Sequence, residues 1–101
     1  MVVVIAEVRL GAGALDGARE AITAMEQASR EEAGCHTYAF SEDVSDPATL
    51  RITELWESRE DLYAHFQMPH MAVFGAALAQ VDVQSMDVKA FELGEVVPMP
   101  G

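Results

Sequence analysis

Along this chain the spacing of apolar residues switches between two and three-to-four, in the order two, three-to-four, two, two, three-to-four, two. That order leaves few ways to fold. Residues 2–10 are dense in β-branched side chains and predict a strand. Val2, Val4, Ala6 and Val8 fall on one face of it, Val3 and Ile5 on the other, so both faces start apolar and both need cover. Gly11 and Gly13 break the strand. Over residues 14–33, Leu15, Ala18, Ile22 and Met25 make one helical stripe, with Asp16, Arg19, Glu20, Glu26 and Arg30 around the remainder. Gly34 is the expected stop.

Residues 35–42 predict a second strand, with Tyr38 and Phe40 on one face. Asp46-Pro47 lies in a turn over residues 43–49. Residues 50–57 predict a third strand whose one face carries Leu50, Ile52, Glu54 and Trp56. The short turn between the two predicts antiparallel pairing. Ser58 opens a helix to about residue 66, with Asp61 at the capping-box position. Pro69 suits a first helical position, so the helix restarts there with Met71, Phe74 and Leu78 as its stripe. Residues 81–93 predict a last strand, bulged near Ser85. The sum is β-α-β-β-α-β, the ferredoxin-like motif, an α+β fold with helices on one face of an antiparallel sheet. The expected layout is one domain over residues 1–95 and an irregular tail over 96–101. Apolar residues on the far face of the sheet predict a homodimer with two sheets packed face to face.

Composition narrows the classes of function. Half of the 101 residues are hydrophobic, which fits a packed core in one domain. No apolar run approaches the ~20 residues of a membrane span, and residues 2–6 lack the flanks of a signal peptide, so the expectation is a cytoplasmic protein that does not enter the membrane. The single Cys35 excludes an internal disulfide and fits a reducing compartment. Seventeen acidic residues against six basic ones repel phosphate backbones, so no nucleic-acid partner is expected. A neutral or weakly acidic organic ligand is the easier guest.

Several local patterns resolve into plain structure. Gly11-x-Gly13 precedes a helix, but the third glycine of a dinucleotide fingerprint would fall at Asp16, whose carboxylate repels pyrophosphate. His65 and His70 are five apart with Pro69 between them, whereas metal-binding pairs on one helix face prefer four. No spacing rule demands Glu54 as a third ligand, so no metal is expected. Strand alternation sends His36 away from Cys35, which reads as a small hydrophobe. Met25, Met68, Met71 and Met86 read as core. Residues 54–70 are different. Glu54, Trp56, His65 and His70 put a carboxylate, an aromatic plate and two titratable imidazoles in one short segment, a candidate proton-transfer site. The plainer alternative makes Trp56 a core anchor and the histidines satisfied helix-end residues.

The stretch Ser29-Arg30-Glu31-Glu32-Ala33-Gly34-Cys35-His36-Thr37-Tyr38 resembles the SRxEPGCxxY stretch of the antibiotic biosynthesis monooxygenase domain. Asp46-Pro47, Glu54-Leu55-Trp56-Glu57-Ser58, Ala64-His65-Phe66, Pro69-His70-Met71 and Phe74 continue that pattern in order. The resemblance implies a dimeric α+β barrel with a pocket between sheet and helices. It also implies a choice among cofactor-free oxygenation of quinols and polyphenols, haem degradation, and isomerisation of a phosphorylated signalling molecule. The chain contains no asparagine, the residue that haem-degrading members and some cofactor-free members place near the reacting oxygen. Six basic residues suit a phosphate poorly.

The resulting expectation is a cofactor-independent monooxygenase acting on a small quinol or polyphenol with dioxygen. His65 or His70 would be the base and Glu54 would orient or stabilise the imidazolium. Trp56, Tyr38, Phe66, Phe74 and Met71 would line the substrate site, with no cofactor and no metal. A non-catalytic dimer that binds a small apolar ligand or serves a stress response stays open beside it. A pocket plugged by Phe66, Phe74 and the methionines would favour that alternative.

Overall fold

The computed structural model describes all 101 residues. The elements are β1 (Val2–Leu10), α1 (Ala14–Arg30), β2 (Cys35–Glu42), β3 (Thr49–Trp56), α2 (Arg59–His65), α3 (Pro69–Leu78) and β4 (Val83–Glu92). They form one four-stranded sheet in the order β2-β3-β1-β4, with every neighbouring pair antiparallel. This is the ferredoxin-like α+β arrangement that the alternation of periods predicts. No helix is long and apolar enough to cross a membrane.

Register places the site. Val2 pairs with Trp56 and Val4 with Glu54, so these four share the face that the helices cover. Beneath the helices the core forms two clusters. Ala6, Val8, Leu10, Leu15, Ala18, Ile22, Leu50 and Ile52 fill one end. Val2, Val4, Met25, Tyr38, Trp56 and Leu62 fill the other. Phe40 and Phe74 pack against both.

Three boundaries differ from the sequence reading. α1 ends at Arg30, not at residue 33, because the chain turns at Glu31 and the Cys35 N–H closes on the Glu32 carbonyl at 3.2 Å. Gly34 completes that turn at φ 77°, in the left-handed region. β3 begins and ends one residue early, at Thr49 and Trp56. β4 starts at Val83, and the register slips between Arg9 and Leu10 so that Gln84 is the extra residue, next to the predicted Ser85. Ser58 caps α2 as expected, its Oγ accepting the Asp61 N–H at 3.2 Å, and Pro69 stands in the first turn of α3.

The two sheet edges are treated differently. Along β2, Glu26 of α1 accepts the Phe40 N–H at 2.8 Å and Arg30 donates to the Tyr38 carbonyl at 2.8 Å, so helix side chains occupy the edge. β4 has no buried residue at all.

Candidate functional site

The site gathers where α1 ends and the α2–α3 break faces it. Glu32 lies in the turn after α1, His65 is the last residue of α2, and His70 is the second residue of α3. Glu32 Oε2 sits 2.6 Å from His65 Nδ1 and 2.7 Å from His70 Nε2. An ionised carboxylate only accepts, so both ring nitrogens donate to the one oxygen. The proline restart makes this possible. It turns two histidines that a continuous helix would separate onto one carboxylate. The spacing argument against their convergence fails for that reason. Glu32 is the residue that the sequence reading missed. Its one signal was its place in the stretch that carries the family resemblance.

Depth grades across the cluster. The side chains of Glu32 and His65 are 5% and 2% exposed, while that of His70 is 24% exposed. Glu32 Oε1 is buried and has no hydrogen-bond partner.

His65 is the hub of the aromatic groups. Its ring centroid lies 4.9 Å from Trp56, 5.4 Å from Tyr38, 5.7 Å from Phe66 and 5.9 Å from His70. Trp56 is fully buried and stacks close to the imidazole, so the indole presents no open plate. Phe66 belongs to the stack but stands half in solvent. Met71 packs against the same cluster. Phe74 packs against it too and stands edge-on to Phe40 at 5.5 Å.

Glu54 lies below Trp56, its Oε1 accepting the indole N–H at 2.9 Å. Burial pushes its carboxyl above the usual range, against the opposing pull of the indole N–H and of His65. The same burial, with Glu54 close by, pushes the Tyr38 phenol up, so Tyr38 stays a neutral hydroxyl. Burial followed by the Glu32 and Glu54 charges raises the Cys35 thiol, which keeps it from acting as a thiolate. Of the residues expected at the site, Glu54, Trp56, Tyr38, His65, His70 and Phe66 lie in the network around Glu32 and His65, and Met71 and Phe74 both pack against the buried cluster that holds Trp56 and Tyr38.

Space is distributed elsewhere. The apolar cleft between sheet and helices, lined by Ile22, Phe40, Ile52, Phe74, Leu78 and Met86 among others, encloses only about 10 Å³. That is room for about one water. A hollow of about 220 Å³ opens between α1 and β2, beside Arg19, Glu26, Phe40 and Glu42.

Comparison with known proteins adds an independent line. The family model for antibiotic biosynthesis monooxygenase matches residues 1–77. A protein of Escherichia coli named probable quinol monooxygenase YgiN is 33% identical over 72 residues, covering 63% of this chain and 68% of its own. An uncharacterized protein of Synechocystis, sll1783, is 30% identical over 67 residues. That match takes in 66% of this chain and spans under half, 46%, of the Synechocystis protein. Among solved structures, a protein of Deinococcus radiodurans described as a putative antibiotic biosynthesis monooxygenase superimposes with a TM-score of 0.92 at 30% identity, covering 100% of both chains.

Proposed function

Because this chain belongs to the antibiotic biosynthesis monooxygenase family, we propose that it oxidises a small quinol or polyphenol with dioxygen, without a resident cofactor. The observation that carries the reading is the Glu32 carboxylate holding His65 and His70 at once. The relative named a quinol monooxygenase supports it.

Glu32 fixes the tautomers. With Nε2–H of His70 bonded to the carboxylate, the lone pair sits on Nδ1, where it takes a phenolic proton. His70 is the partly exposed member of the pair, so it meets the substrate. His65 and Trp56 form the buried wall behind it and hold its partner Glu32 in place. The phenolate passes an electron to dioxygen, and recombination forms a C–O bond at a ring carbon that carries hydrogen. The resulting hydroperoxide loses water, with His70 returning its proton to the leaving oxygen. One oxygen atom ends in the quinone carbonyl and the other in water, and the substrate supplies all the electrons. Tyr38, kept neutral, is a hydrogen-bond donor to the substrate oxygen.

The bare side of the sheet fits a second copy of the chain, so the working unit in this reading is a homodimer. Cys35 as a free thiol suits a reducing, cytoplasmic setting. The filled cleft favours a second reading. With only about 10 Å³ between Phe40, Phe74 and Met86, a dimeric α+β protein without catalysis fits equally well unless the α2–α3 segment moves aside.

The test is oxygen uptake on a panel of hydroquinones with metal-free and flavin-free protein. Turnover above autoxidation is expected, with His70→Ala slower by about 10²–10⁴-fold, the usual worth of one positioned base. His65→Ala is expected to fall as far. Uptake no faster than autoxidation across the panel would count for the non-catalytic reading.

A further inference from the structure

Three ligand-type atoms from three separate segments converge at the site. Glu32 Oε2, His65 Nδ1 and His70 Nε2 all lie within 4.8 Å of one another. Bonds of about 2.0–2.1 Å to a tetrahedral metal ion place donor atoms about 3–3.5 Å apart. The two Glu32 contacts are shorter than that and the two nitrogens, within 4.8 Å of each other, stand wider, so admitting an ion takes shifts of about 1–1.5 Å that open the carboxylate and draw the imidazoles together. Hydrogen bonding accounts for only one of the two carboxylate oxygens. Oε1 is buried with no partner on a side chain that is 5% exposed. A buried acceptor left unpaired is unfavourable. A cation bound through both carboxylate oxygens removes that defect.

We propose that Glu32, His65 and His70 form a site for one divalent transition-metal ion of the zinc type. Each imidazole binds it by moving its proton to the other ring nitrogen, which frees the lone pairs on His65 Nδ1 and His70 Nε2. Two imidazoles and a carboxylate suit zinc, cobalt or iron, whereas magnesium and calcium prefer all-oxygen shells. Three protein ligands leave one tetrahedral position for water. That position lies on the side of His70, the ligand that reaches the surface. A chain of net charge −11 also draws cations toward it. The ion takes the carboxylate that fixes the His70 tautomer, so it opposes the proton transfer proposed above. The site itself does not depend on that reaction.

Binding is read without substrate by titrating metal-stripped protein with Co²⁺ and then displacing it with Zn²⁺, which is also followed calorimetrically. The expected result is the strong visible absorption of tetrahedral Co²⁺, saturating at one ion per chain and abolished by Zn²⁺. Seventeen acidic residues bind cations weakly on their own, so the variants decide. His70→Ala, at the exposed edge of the cluster, is expected to weaken binding about 100-fold or more, since even outer-sphere partners of a metal site are worth about 10–100-fold. Glu32→Gln is expected to do the same. Equal affinity in wild type and His70→Ala, or Co²⁺ showing only the weak absorption of the hydrated ion, would overturn the site. Absence of any oxygenase activity would leave this result standing, because the readout is the ion alone.

Discussion

Two carboxylates flank the Trp56–His65 pair, and they solve the problem of burial in different ways. Glu32 is held by two imidazoles, whereas Glu54 has one indole N–H as its hydrogen-bond partner. For Glu54 burial outweighs that bond and the pull of His65, so its carboxyl stands above the usual carboxylate range in the folded state. The folded state then holds this proton more tightly than the unfolded one. Between the unfolded value and the raised folded value, stability falls as pH rises, and above both the full cost of the buried charge is present. Glu54→Gln keeps an oxygen for the Trp56 N–H and removes the charge. The variant is expected to melt at a higher temperature than wild type at pH 8, with the gain shrinking as pH drops toward 4. Melts at a series of pH values check this, and a variant less stable at pH 8 than at pH 4 relative to wild type would mean that the charged hydrogen bond outweighs burial. Glu54 and Trp56 were legible because strand alternation alone puts them on one face. Glu32 was not, since 33 residues separate it from His65 and no period links a turn to a helix end.

At the scale of elements, the α1–β2 turn sets where Glu32 points. Gly34 takes φ 77°, its carbonyl accepts the Glu57 N–H at 2.8 Å, and a Cβ there would stand 2.1 Å from Asp61 Oδ2. The turn therefore seats the start of α2 directly, with Asp61 held in turn by the Ser58 cap. Gly34→Ala is expected to cost about 1–2 kcal/mol for the left-handed backbone, with more for the collision. Adding Asp61→Ala relieves the collision and leaves the backbone part, so the double variant is expected to be more stable than the Gly34→Ala, Asp61→Ala sum. Urea unfolding of the three variants measures it, and strict additivity would show that the side chain swings clear. A stop at Gly34 was readable from the sequence, but the last three residues before it were not. Ala33 favours helix, but the turn that closes the Cys35 N–H on the Glu32 carbonyl ends the helix early and overrides that preference. The α2–α3 break was readable from Pro69, although its consequence was not. A proline announces a change of direction without saying what the two arms will meet.

For the whole molecule the unresolved demand is the one raised by β1, which begins apolar on both sides. The helices satisfy the even-numbered residues. On the other face, Leu55, Val3 and Phe91 stand side by side across β3, β1 and β4, with Ile5 next in line. Ile5 and Phe91 are each 51% exposed. A row of this kind running over three strands marks an interface more readily than scattered surface residues do. Lys89 stands beside Ile5, and past it the face is charged through Glu7, Arg9 and Arg51, which confines the contact to one end of the sheet. If the homodimer forms there, a twofold axis counts each residue twice. Covering the exposed half of one such side chain contributes about 1 kcal/mol, hence about 2 kcal/mol for both copies, or roughly 30-fold in affinity. Ile5→Glu adds a buried charge to that loss, so it is expected to convert a dimer to monomers at micromolar concentration in size-exclusion chromatography with light scattering. Val44→Glu is the control, because Val44 is fully exposed on the β2–β3 turn and away from this row. A wild-type protein that runs as a monomer, or an Ile5→Glu variant that stays dimeric, would mean that something other than a second sheet covers this face.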